Sequence, residues 1–156
     1  MSEKEKFMKL ALIEAKKAAE KGEIPIGAVI VKNGEVISKA HNLRETKKNA
    51  ICHAEITAIE RACKKLSGWR LSGCDIYVTL EPCHMCMGAV IQSKIKNVYF
   101  GAYDKKCGAA FSIDEVWKND KLCHKIECTG GIMADECSEI IKNFFTELRR
   151  IKKANN

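Results

Sequence analysis

The residue types best suited to chemistry in this chain are His53-Ala54-Glu55 and, further on, Pro82-Cys83-His84-Met85-Cys86. One imidazole and two thiolates form a good ligand set for zinc, and a carboxylate is left beside them that the metal does not need. Cys83 and Cys86 stand at i and i+3, so in a helix that opens there their sulfurs share a face and converge on one ion. The apolar run Tyr77-Val78-Thr79-Leu80 followed by Glu81-Pro82 puts that helix start directly after a strand, with a proline suited to a first helical turn. The positive end of the helix then favours both thiolates. His53 and Glu55 are i and i+2, about 200° apart on a regular helix. They can flank one ion only if His53 sits at the helix mouth, and helical periodicity does begin there, with Ile56, Ile59, Ala62 and Cys63.

Three protein ligands leave one vertex of a tetrahedral ion for water, whereas a structural zinc normally takes four. Zinc lowers the pKa of bound water from 15.7 to about 7, and a nearby carboxylate can accept and pass on the proton. Glu55 is the candidate for that task. Other uses of the same residues compete. Cys52 or His84 could close the site as a fourth ligand. Cys83 and Cys86 could be a redox pair, although His53-Ala54-Glu55 then has no task. Cys123, His124, Cys128 and Cys137 could form a second metal cluster, but their spacing matches no common zinc module and buried thiols explain them better.

His-x-Glu followed by Pro-Cys-x-x-Cys resembles the signature of the zinc-dependent nucleoside deaminases. Glu23-Ile24-Pro25-Ile26-Gly27-Ala28-Val29, His41-Asn42-Leu43-Arg44, Trp69-Arg70-Leu71, Gly101-Ala102-Tyr103-Asp104 and Phe144-Phe145 extend the likeness over nearly the whole chain, and it is to the bacterial tRNA adenosine deaminases. The resemblance implies one zinc per chain on His53, Cys83 and Cys86, and hydrolysis of adenosine to inosine at the wobble position of an anticodon loop. Glu55 would carry the proton to N1 and then to the departing amine. It further implies a base contact at Asn42, a base pocket lined at Ile26, ring binding by the Ala54 backbone, an Asp104 loop near the ribose, and a homodimer. Because the metal core is common to related enzymes, a free guanine, cytosine or nucleoside deaminase of the same fold is the alternative. A non-catalytic, zinc-stabilised RNA-binding module is a third reading. Phe111 departs from the glycine the resemblance leads one to expect, and a bulky residue excludes a positive-φ turn there.

Around these residues, Glu3 to Lys21 reads as an amphipathic helix stopped by Gly22, and Gly27 to Ser38 as a hairpin about an Asn33-Gly34 turn. A loop from His41 to Asn49, a helix from Ala54 to Lys65, a strand from Asp75 to Leu80, a helix from Cys83 to Ser93 and a strand from Asn97 to Gly101 follow. Lys125 to Cys128 reads as a fifth strand, and Met133 to Ile151 as a long final helix with Phe144 on its core stripe. Together these make a single domain over residues 1–156, a three-layer α/β/α sandwich with a five-stranded mixed sheet. The order 2-1-3-4-5, cytidine-deaminase-like, is what the resemblance implies.

With 46% hydrophobic and 30% charged residues, and Lys and Glu mixed through the first twenty positions, the chain carries no secretory or membrane-spanning signature. It is expected in the cytoplasm, with its nine cysteines as reduced thiols. A net charge of +7 suits a polyanionic partner. Phe145 is placed as a stacking platform for a loop base, with Arg149 and the neighbouring cations on phosphates. Arg44 and Lys106 are further candidate phosphate contacts.

Overall fold

The computed structural model describes Met1–Asn156. The elements are α1 (Glu3–Glu20), β1 (Gly27–Lys32), β2 (Glu35–His41), α2 (Ala54–Leu66), β3 (Cys74–Leu80), α3 (His84–Gln92), β4 (Asn97–Ala102), a 3-10 turn at Val116–Lys118, β5 (Glu127–Thr129) and α4 (Ala134–Ala154). The sheet order is β2-β1-β3-β4-β5. β1 runs antiparallel to β2 and β3, while β3, β4 and β5 are parallel.

Strand alternation sorts the core into two layers, because successive side chains of a strand point to opposite faces. Ala28, Ile30, Ile76, Val78, Val98 and Phe100 face α2 and α3, where they meet Ala54, Ala58, Met87 and Val90. Val29, Val31 and Tyr77 face the other way, onto Phe7, Met8, Ala11 and Leu12 of α1 and Cys137 of α4. In the parallel pair, Tyr77 lies opposite Tyr99 and their rings stack with centroids 4.9 Å apart. The sandwich with its five-stranded mixed sheet is thus present, in the order that the resemblance implied.

Local chemistry explains most element ends. Ser2 caps α1 by accepting the Glu5 amide at 3.1 Å, and Gly22 beyond its end takes φ 77°. Asn33 and Gly34 both have positive φ, 51° and 76°, which a tight two-residue hairpin turn requires. Three features differ from the sequence reading. β2 continues to His41, past a bulge opposite Ile30 and Val31. The short edge strand is Glu127–Thr129, so it starts two residues later than periodicity suggested. α4 begins after Met133, held at φ 55° without a side-chain cap. Phe144 is half-buried on the α4 stripe it shares with Ile140, Ile141 and Leu148, where Cys137 is the one fully buried residue. No helix is long and apolar enough to cross a membrane.

Candidate active site

The site forms where β3 and the starts of two helices meet. His53 is the N-cap of α2 with extended backbone, φ −75° and ψ 154°, so it stands outside the helical screw that would have turned it away from Glu55. Cys83 is the N-cap of α3 in the same conformation, and Cys86 lies buried in that helix's first turn. Pro82 therefore precedes the cap and ends the strand connection.

The His53 Nδ1 lies 3.7 Å from the Cys83 Sγ and 3.5 Å from the Cys86 Sγ. A tetrahedral zinc with Zn–N about 2.0–2.1 Å and Zn–S about 2.3 Å separates nitrogen from sulfur by about 3.6 Å. The three donors all lie within 4.8 Å of one another, and Glu55, Cys52 and His84 are not members of the group. His84 instead bonds the Asp114 carboxylate at 3.0 Å on the surface. Geometry and donor chemistry thus fit a borderline divalent cation with an incomplete shell. The cysteines and histidine near the chain's end form no comparable group: His124 bonds the Ile95 carbonyl at 2.7 Å, Cys123 neighbours Lys94, and Cys137 packs from α4 into the core.

Among the protein groups, the bond from Cys86, helped by His53, holds the Cys83 thiol down to about 3. The same bond, with burial, pushes Cys86 up. A cation in the triangle favours both thiolates. The hydrogen bond to Cys83 raises the His53 pKa. Glu55, 4% exposed in the first turn of α2, has its pKa raised above the ordinary carboxylate value chiefly by burial. It can therefore hold a proton at a pH where an exposed glutamate would not.

A cleft of about 530 Å³ opens onto this group, and His53, Glu55 and Cys83 line its floor. Ile26, Arg44, Asp104, Lys106 and Phe145 line the same cleft. Asp104 folds its own loop by accepting the Lys106 and Cys107 amides at 3.1 Å each. Asn42 is buried beside it, with its amide donating to the Ile24 carbonyl and its oxygen accepting the Arg44 amide, both at 3.4 Å. It lines an adjoining cleft that shares Arg44 and Phe145 and includes Phe144. Ala54 is buried as the first residue of α2. Arg149 stands apart from both clefts, exposed on α4 with its guanidinium on the Thr146 hydroxyl at 3.3 Å. Phe111 adopts no positive φ; its ring meets Phe100 and Trp117, and the loop keeps its turn without a glycine there.

Three residues of this site had no role assigned from the sequence. Tyr103 is half-exposed on the cleft wall, its ring edge-on to Phe100. Glu23 is fully buried and accepts the Glu45 and Thr46 amides at 3.0 and 2.6 Å. Glu81 is likewise buried and binds the backbone on the opposite lip. The local signal at Glu23 and Glu81 was a carboxylate beside an apolar run and a proline, which reads equally as a strand end.

The chain matches the MafB19-like deaminase family over residues 2–149. It is 50% identical over 154 residues to a tRNA-specific adenosine deaminase of Bacillus subtilis, covering 99% of this chain and 96% of that protein. Among solved structures it resembles one from studies of A-to-I editing by tRNA:A34 deaminases, with TM-score 0.83, 41% identity, and 86% and 98% of the two chains covered. A guanine deaminase from Bacillus subtilis is also similar, at TM-score 0.62, 37% identity and 72% of each chain. Near-complete coverage on both sides makes this chain a member of the MafB19-like deaminases and, within them, of the tRNA-specific adenosine deaminases.

Proposed function

We propose that the chain hydrolyses adenosine to inosine at the wobble position of a tRNA anticodon, with zinc held by His53, Cys83 and Cys86. Zinc held there would supply a Lewis acid that activates water at neutral pH. The carrying observation is a buried carboxylate, Glu55, set against a three-donor group of which it is not a part. Its raised pKa suits a residue that takes a proton from water, gives it to N1 of the ring and then protonates the departing amine. Water adds at C6 and ammonia leaves, so the balance is adenosine plus water to inosine plus ammonia. Ile26 and the Asp104 loop line this cleft beside His53 and Glu55, where a planar base would lie, and the buried Asn42 lines the adjoining cleft that shares Arg44 and Phe145.

The alternative, deamination of a free base, needs only the floor. Arg44, Lys105, Lys106 and Lys142 line this cleft together with the Tyr103 and Phe145 rings. Cations with aromatic faces suit phosphates and unstacked neighbouring bases. Incubation with total tRNA and, separately, with free nucleosides and bases decides the matter. Inosine in tRNA is the expected product. Turnover of free guanine or cytosine with untouched tRNA sinks the proposal, as does RNA binding without deamination.

A further inference from the structure

Glu81, a buried titratable group that the proposed chemistry leaves unused, is 2% exposed between the end of β3 and Cys83. Its carboxylate gathers one entire loop. Oε1 accepts the Asp104 amide at 3.0 Å, and Oε2 accepts the amides of Ala110, Phe111 and Ser112 at 3.1, 2.8 and 2.9 Å. The Ser112 hydroxyl donates to Oε1 as well. The backbone follows suit: the Glu81 amide donates to the Ala102 carbonyl at 2.8 Å, and the Ala109 amide to the Pro82 carbonyl at 2.8 Å. Gly108 is pressed so closely on the carboxylate that a Cβ there would lie 2.3 Å from the Glu81 Cδ.

These contacts join two parts of the site. Glu81-Pro82 leads directly into Cys83, and the loop from Asp104 carries Lys105, Lys106 and Cys107 on the cleft wall. We propose that Glu81 is the positioning residue of the cleft, fixing the Asp104–Ser112 lip at a set distance from the metal-ligand turn so that the substrate's flanking backbone is bound in register with the reacting base. An ionised carboxylate suits this task because five donors converge on it, and no neutral side chain offers as many acceptor sites in one plane. Glu81 touches no reacting atom and acts through the lip. The inference rests on the proposed function for its substrate, but the order of the lip can be measured without any turnover.

Glu81→Gln keeps the volume and replaces acceptor capacity with an NH2 group facing amide donors. Ser112→Ala removes one donor and leaves the cleft lining intact, and Gly108→Ala displaces the lip without altering any charge. The expected result for Glu81→Gln is wild-type metal content, faster hydrogen exchange at the Asp104 and Ala110–Ser112 amides, KM for tRNA raised about 10–100-fold and kcat within about threefold. Gly108→Ala should shift KM in the same direction, and Ser112→Ala by a smaller factor. Wild-type exchange and KM in folded Glu81→Gln would overturn the assignment. So would a fall in kcat that tracks lost metal at constant KM, because Glu81 would then serve the metal turn alone. Should Glu81→Gln not fold, the KM of Gly108→Ala decides the question. If the unaltered chain leaves tRNA unedited, the proposed function fails, while the exchange comparison still decides the role of Glu81.

Discussion

Glu55 and Glu23 are both buried carboxylates, yet their surroundings drive them in opposite directions. Around Glu55 burial dominates and raises the pKa. Glu55→Gln preserves shape but cannot carry a proton. Since Glu55 lies outside the three-donor group, metal content should be unchanged while turnover falls by about 10²–10⁴-fold; metal analysis beside an inosine assay checks both, and loss of metal would make Glu55 a ligand. Burial also works to raise the Glu23 pKa, but bonds from Thr46 and Glu45 outweigh it and hold it below the ordinary 4.5. A carboxylate depressed in the folded state stabilises fully above its unfolded pKa, and that stability is lost as pH falls through the lower folded value. Urea midpoints taken from about pH 7 down to about pH 3 should therefore fall less steeply for Glu23→Gln than for the unaltered chain. Equal slopes would mean that Glu23 titrates alike in both states.

At the level of elements, the tightest seam is between α1 and the start of β1. A Cβ on Gly27 would lie 1.9 Å from the Ala11 carbonyl oxygen and 2.7 Å from the Ala15 nitrogen, so helix backbone and strand backbone touch directly. Gly27→Ala must part them, at a cost of about 1–3 kcal/mol or more by overpacking, which at about 2–4 °C per kcal/mol lowers Tm by several degrees. Gly68→Ala, with nothing within 4 Å of its Cβ position, should leave Tm nearly unchanged. Equal melting of the two variants would refute the seam. The same contrast explains what the sequence disclosed. Apolar runs bounded by turn residues in β1 and β3 and the 3.6 period of α1 and α2 are strong signals, so those elements, the Asn33-Gly34 turn and the two helix mouths bearing His53 and Cys83 were legible. β5 pairs over only three residues at the sheet edge and has no comparable repeat. Glu81 and Glu23 escaped because their partners are backbone amides more than twenty residues away, and backbone amides leave no mark in a sequence.

For the whole molecule, the decisive quantity is how the surplus charge of +7 is laid out. Arg44, Lys105, Lys106 and Lys142 border the cleft, whereas Arg149 lies beyond it on the exposed face of α4. A short single strand seated in the cleft can meet the first set and not Arg149. A full tRNA, whose anticodon stem continues past the loop, can meet both. Binding measured with Glu55→Gln, which prevents turnover, should weaken with salt at a log–log slope of about −0.7 per phosphate contacted on a single strand. Lys106→Ala should reduce the magnitude of that slope by about 0.7 with either RNA, since one released counterion is lost from a contact both ligands make. Arg149→Ala should change the slope only with full tRNA. If it changes the slope equally with the short strand, the RNA runs along α4 instead of across the cleft. If salt leaves both affinities untouched, the basic border is merely solvated surface and the cleft holds its ligand by the base alone.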